Sequence, residues 1–431
     1  DTNTAMGSTA LNTNTTGAGN TGIGYASLTA NTTGGGNTAV GLASLEANTT
    51  GANNVAVGGT CLAANTTGSS NVAIGVQALD ANSTADNNVA IGLNSLGANT
   101  TGAENTAVGM TALAANTTAS NNTAVGTAAL AANTTGTSNT ALGRAALEVS
   151  TTSSFNTAVG HSSLASNTTG ASNTAVGYHA LRLNTTGSDN TAMGASDNSS
   201  VGGALGANTT GGNNTAIGQG ALAANTTASN NTAVGHSALL ANTTGDQNTA
   251  VGGISLDANT TGIRLTAVGF EALTANTTAD NNTALGHTSL ASNTTGDDNT
   301  AVGYNSGAAI TTGSDNTIVG AYAANQITTG NTNTAMGYDA LTRCTTGSSN
   351  ACFGKDAGDN ITTGGNNVCV GLDAGTNITQ GDNNICIGND AKTSAEAAQN
   401  CITMGVGINC VGTNSFSFGK ASNVVSNDFD A

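Results

Sequence analysis

The chain has 431 residues, of which 60 are Gly and none is Pro or Trp; 3% are aromatic and 7% charged. A globular chain carries about 25% charged residues and packs its cores around large aromatic side chains, so ordinary globular domains are excluded, as are a collagen-like helix without Pro and long α-helices in so much Gly, Asn and Thr. With 7 Lys plus Arg against 24 Asp plus Glu, the net charge of −17 excludes a basic nucleic-acid footprint and docking on anionic lipid.

What remains is a repetitive, β-rich, elongated fold. Asn-Thr-Ala-Val-Gly or a close variant ends at Gly7, Gly24 and every 17 residues to Gly194, then from Gly218 to Gly405, giving 24 repeats. Positions are counted from this Gly as 0. Position −4 is Asn in 22 of 24 repeats, −2 is nearly always Ala, −1 is always a large apolar residue, and +4 is Leu in 18 repeats. The run from −3 to −1 predicts a strand, first at Thr4–Met6, and Asn-Thr-Thr-Gly from +7 predicts a turn. One repeat is then one coil of a parallel β-solenoid, and 24 coils at ~4.8 Å make a rod on the order of 115 Å long. Asn37, Asn54, Asn71, Asn88, Asn105 and Asn122 at −4 predict a ladder of stacked amides. We expect −1 and −3 to face the coil interior and the small −2 residues, such as Ala107 and Ala141, to meet a neighbouring copy of the chain.

Further along the chain, Ala195–Val201 adds seven residues to one repeat without disturbing the register on either side. We expect an outward loop there, with Asp197 and Asn198 the candidate ligand contacts. Leu265 breaks the −4 Asn column, with Arg264 beside it. Where +4 becomes Gly307, Ala324, Gly358 or Gly375, position +7 becomes Ile310, Ile327, Ile361 or Ile378. Such a volume-conserving exchange predicts that +4 and +7 reach one interior. Residues 1–405 thus form the repetitive solenoid, and 406–431 a C-terminal transition segment with a 14-residue step from Gly405 to Gly419.

Three stretches carry a family resemblance: Ser70-Asn71-Val72-Ala73-Ile74-Gly75, Asn87-Asn88-Val89-Ala90-Ile91-Gly92 and Asn414-Ser415-Phe416-Ser417-Phe418-Gly419. They resemble the Asn-Ser-Val-Ala-Ile-Gly motif of trimeric autotransporter adhesin (YadA-like) heads and related bacteriophage tail-fibre repeats. The resemblance covers essentially the whole chain, and the 17-residue period is its departure from the 14 residues typical of those heads. It implies a left-handed β-roll, three chains side by side, and an extracellular adhesive or receptor-binding shaft on a cell surface or virion. The implied partners are the chain itself as homotrimer and a host-surface glycan or protein receptor. The opening Asp1-Thr2-Asn3-Thr4, with neither initiator Met nor leader, reads as a mature or excised piece, and no C-terminal chaperone or anchor is visible. No apolar run approaches the ~18 residues of a membrane span, so we expect no insertion by this segment.

Chemistry is scarce, and we expect no enzyme, no cofactor and no metal. His161, His179, His236 and His287 form no ligand-spaced cluster and read as solvated turn residues. No nucleophile elbow or P-loop stands between a strand and a helix. Cys352, Cys369 and Cys386 occupy −2 in successive coils and read as small buried thiols, since parallel Cβ vectors suit a disulfide poorly. Asp339, Asp356, Asp373 and Asp390 at +2 supply too few oxygens for Ca²⁺. The sixteen Asn-Thr-Thr or Asn-Ser-Thr sequons at +7 read as turns rather than glycosylation sites. A monomeric Thr-rich ice-binding solenoid is the rival expectation, and a spacer without ligand the third. Against ice binding, we expect the −3 Thr to share the face of a buried −1 residue.

Overall fold

A computed structural model of the chain describes residues 2–196 and 202–428. It is all-β, and its two compact units are Asp1–Thr227 and Ala228–Ala431. Each is a parallel β-solenoid with 17-residue turns, about 24 turns in all. Strands are numbered in chain order. Those of the first unit run from β1 (Thr4–Met6) to β13 (Thr215–Ile217), and those of the second begin at β14 (Thr232–Val234). Register is residue on equivalent residue, as in Thr157↔Thr174, Ala158↔Ala175 and Val159↔Val176.

The backbone between strands explains the punctuation. Positions +2, +4 and −5 take left-handed φ, as at Ala43 (49°), Leu45 (52°) and Asn53 (59°). Their amides reach alternately down and up the stack: Ala43 N–H donates to Tyr25 O at 2.9 Å, and Leu45 N–H to Cys61 O at 3.0 Å. The Gly at 0 is demanded twice over. Gly109 has φ +137°, and a Cβ there would stand 2.5 Å from the Gly126 carbonyl oxygen of the next coil.

Facing within the strand is the reverse of the sequence expectation. The −2 residues are inside their own coil, with Ala107 and Ala141 fully buried, while −3 and −1 point outward. A three-residue strand can turn only its middle side chain inward when both flanking ones point out. Space at that level is small: a Cβ added at Gly22 would lie 3.3 Å from Leu11 Cγ and 3.2 Å from Ser27 Oγ. Where Leu fills +4, Ala fits at −2; Ile318 is fully buried at −2 in a coil whose +4 residue is Ala324. An Asp at Ala107 or Ala141 would therefore bury a charge within the coil rather than probe a chain–chain contact. The interior is completed by Leu at +4 and by small residues at +3, such as Ser95 and Ala112, all fully buried.

The +4/+7 exchange occupies one interior. Ile310, Ile327, Ile361 and Ile378 are fully buried, and a Cβ on Gly307 would lie 3.2 Å from Ile310 Cδ1. Across the seven extra residues the register holds, with Thr191↔Thr215 and Met193↔Ile217. Coil geometry continues for two residues past Gly194, into residues that the sequence assigns to the insertion. Ser196 N–H donates to Tyr178 O at 2.9 Å, the bond that +2 makes elsewhere, and Leu205 resumes as the buried +4 residue. Asp197 and Asn198 lie outside the described residues.

At the C-terminal end β24 (Ile402–Val406) pairs in parallel with β25 (Ser415–Lys420), placing Gly405 beside Gly419 in a 14-residue coil. Then β26 (Asn423–Asp428) turns back antiparallel on β25, so the parallel progression ends there among the described residues.

Candidate functional site

Two amide ladders run inside the coils. In the −4 ladder, Asn54 donates its backbone N–H and Nδ2 to Asn37 Oδ1, at 3.0 and 3.2 Å. The backbone donation continues through Asn71, Asn88, Asn105 and Asn122, all fully buried, and the Nδ2 donation is repeated by Asn71, Asn105 and Asn122. The second ladder, at +7, lies in what the sequence presents as a turn. Asn48 Nδ2 donates to Asn31 Oδ1 at 2.8 Å and to Gly51 O at 2.9 Å. Asn37 Nδ2 donates to that same Gly51 carbonyl at 2.9 Å, so the +10 carbonyl ties the ladders together. Buried amides thereby keep partners coil after coil.

Because each +7 rung donates towards the N-terminus, the last rung of a run leaves its oxygen unused. Asn133 Oδ1, followed by Ser150, and Asn293 Oδ1, followed by Ile310, are buried and without a hydrogen-bond partner. In the −4 ladder Leu265, only 1% exposed, still donates its N–H to Asn248 Oδ1 at 2.9 Å. Cys401 donates likewise to Asn384 Oδ1 at 3.0 Å. Main-chain support therefore continues where the side-chain rung is lost.

The interactive surface is the outward one. Position −1 carries Val, Ile, Leu, Met or Phe in every coil. Leu142 (47%), Met193 (43%) and Leu285 (46%) are well exposed. The −3 column, mostly Thr, lies on one side of it and +1 on the other. Position +1 adds exposed Tyr25, Leu42, Val76, Leu93 and Met110 near the N-terminus. In the second unit +1 and +2 carry a surface aromatic run. His287 stacks between Phe270 and Tyr304 with centroids 5.5 and 5.4 Å apart, and Tyr304, Tyr322 and Tyr338 follow edge to face. Aromatic composition of 3% gave no warning of that clustering.

The reactive residue types are placed as follows. Cys352, Cys369 and Cys386 are fully buried, directly paired in adjacent strands, and unbridged. Hydrogen bonding with Cys352 and burial raise the Cys369 thiol; Cys386 is raised by Cys369 and burial. Burial pushes Cys61 up to about 11 and Cys344 up to about 12. These thiols are poor nucleophiles. Near the end, hydrogen bonding between Cys401 and Cys410 raises the former and lowers the latter. In the Asp column all four residues have left-handed φ between 53° and 56°, which Asp tolerates well. Lys355 and Lys392 pair with Asp356 and Asp390 at 2.7 and 2.6 Å. Among the described residues no group of three His, Cys, Asp or Glu could hold a metal, and no helix is long and apolar enough to cross a membrane. His161 and His179 are not isolated: they flank Tyr178 in a ring stack.

No protein-family model matches the chain, and no curated protein is significantly similar to it in sequence.

Proposed function

We propose that the chain is a non-enzymatic, adhesive fibre segment that assembles side by side as a homotrimer and works outside a cell or on a virion. The carrying observation is the outward apolar column at −1, unbroken in every coil. Monomeric soluble proteins rarely expose contiguous apolar patches beyond a few hundred Å². This column runs roughly 55 Å within either unit at ~4.8 Å per coil. A parallel copy presents the same column at the same spacing, and cyclic closure buries it. Trimer number, extracellular setting and a receptor on a host surface come from the resemblance to adhesin heads and tail fibres. Solution mass tests the assembly: three times 41.2 kDa is expected, and a stable 41.2 kDa monomer overturns it. Val125→Asp with Val159→Asp should dissociate the trimer, whereas Thr100→Asp in a turn should not.

One observation favours the rival. Thr106, Thr123, Thr140, Thr157 and Thr174 at −3 face outward beside −1, not into the coil as expected from the sequence. A regular outward Thr–Val lattice is what ice recognition would use, and thermal hysteresis from a monomer would favour that reading.

A further inference from the structure

The first 263 residues contain two cationic side chains, Arg144 and Arg182, with His161 and His179 between them in sequence. Arg144, His161 and Tyr178 occupy +1 in three successive coils, and His179 and Arg182 follow at +2 and +5 of the third. The fold draws them together. Arg144 Nη1 lies 3.0 Å from His161 Nε2, and the His161 ring stands 5.4 Å from Tyr178 and 5.9 Å from His179. Tyr178 and His179 stack with centroids 3.8 Å apart. Burial first, then the charges of Arg182 and His161, lower the His179 pKa, placing Arg182 at the same patch.

Both arginines are exposed, and neither enters an ion pair among the described residues. Glu148 and Asp189, the nearest carboxylates in sequence, do not pair with them. In a chain of net charge −17, clustering cations against imidazoles without a carboxylate partner points to an anion from outside. Guanidinium groups take carboxylates as bidentate forks. The two arginines stand two coils apart, about 10 Å along the stack, so a chain of carboxylates suits them better than one small anion. Between them the rings of His161, Tyr178 and His179 stack on one another, leaving ring edges, with imidazole nitrogens and the Tyr178 hydroxyl, to meet sugar hydroxyls.

We propose that Arg144, His161, Tyr178, His179 and Arg182 form a binding site for an acidic oligosaccharide of the polyuronate class. This rests on the adhesive part of the proposed function and names its ligand class; the site lies beside the −1 column rather than on it.

Calorimetric titration of the full chain with tetragalacturonate tests the site, with maltotetraose and tripolyphosphate as comparisons and solution mass recorded on each sample. Saturable binding of tetragalacturonate is expected, weakened roughly tenfold or more by Arg144→Ser with Arg182→Ser. Tyr178→Ser should weaken it by about fivefold, and Arg264→Ser should leave it unchanged. Unaltered far-UV spectra and melting would show that the variants fold. No saturable binding, or an equal loss in Arg264→Ser, overturns the site. Equal binding of tripolyphosphate, equal binding of maltotetraose, or indifference to Tyr178→Ser overturns the acidic-saccharide assignment. A monomer that binds would sink the shaft and keep the site; a trimer that does not bind would do the reverse.

Discussion

Coils of the second unit between Gly235 and Gly286 differ from those between Gly303 and Gly371 in how they fill the same space. The former set Leu at +4 and Asn at +7; the latter mostly use Gly or Ala at +4 and Ile at +7. Leu at +4 is left-handed, as at Leu256 and Leu273 (51° and 52°), a conformation costing an L-residue about 1–2 kcal/mol. Burying the side chain is worth about 2 kcal/mol, so the two terms nearly cancel and the Asn rung beside it stabilises the coil. Gly307 and Gly358 adopt φ of 57° and 62° without that strain. Ile at +7 then restores the volume, helped by Cys at −2 in two coils: a Cβ on Gly358 would meet Cys352 Sγ at 2.6 Å and Ile361 Cδ1 at 3.0 Å. The exchange forfeits the amide rung and leaves Asn293 Oδ1 without a partner. Coil geometry is thus set by the backbone, while the interior is a volume that different positions can fill.

The strongest check is the residue both kinds of coil keep. Gly235 and Gly354 have φ of +138° and +137°, and a Cβ on either would approach the next Gly carbonyl oxygen to 2.5 Å. Gly235→Ala and Gly354→Ala should each lower stability by more than about 4 kcal/mol, to a similar extent. A denaturation series in which one coil type tolerates the change would show that the two do not share a backbone frame.

Next in size is the exchange itself. Leu273→Gly alone should cost about 3–4 kcal/mol, from lost burial and a cavity, less the relieved strain. Adding Asn276→Ile should recover about half of this. The double variant regains volume but leaves Asn259 Oδ1 and Asn293 Nδ2 without the bonds they make to Asn276, at 3.0 and 3.2 Å. If the double variant melts at or below Leu273→Gly, the positions do not exchange volume.

Much of this was legible because a repeat compares itself with itself. Strand positions, coil period and the −4 ladder follow from columns of identical residues, and the Ile310-for-Asn exchange placed +7 inside. It also held the clue to the second ladder, since a residue interchangeable with buried Ile must itself be buried. What misled was size. Large apolar −1 residues suggested an interior, but Leu at +4 and the close backbone leave room at the strand only for Ala, as the contacts of Gly22 show. The cluster from Arg144 to Arg182 was hidden for another reason. Its members sit at +1, +2 and +5 of different coils, and only the ~4.8 Å stacking brings them side by side.

The smallest effect concerns the ladder's other broken end. At the Gly143 coil, +7 is Ser150 and +10 is Ser153, whose hydroxyls lie 2.5 Å apart. Ser153 Oγ accepts the Asn156 and Asn167 amides of the following coil at 3.1 Å each, while the Ser153 carbonyl keeps the Asn139 amide at 2.9 Å. This local substitute satisfies the amides but leaves Asn133 Oδ1 buried without a donor. Ser150→Asn with Ser153→Gly restores the regular rung: the new Nδ2 would reach Asn133 Oδ1 and the residue-153 carbonyl beside Asn139, and the new Oδ1 would take the Asn167 amide. One buried hydrogen bond regained is worth about 1 kcal/mol, with a small rise in denaturation midpoint. Ser150→Asn alone should gain nothing, because Ser153 Oγ occupies the space its amide needs. A double variant no more stable than the parent would mean that the unfilled oxygen carries no cost, and that the Asn-to-Ile switch at Ile310 is free of one as well.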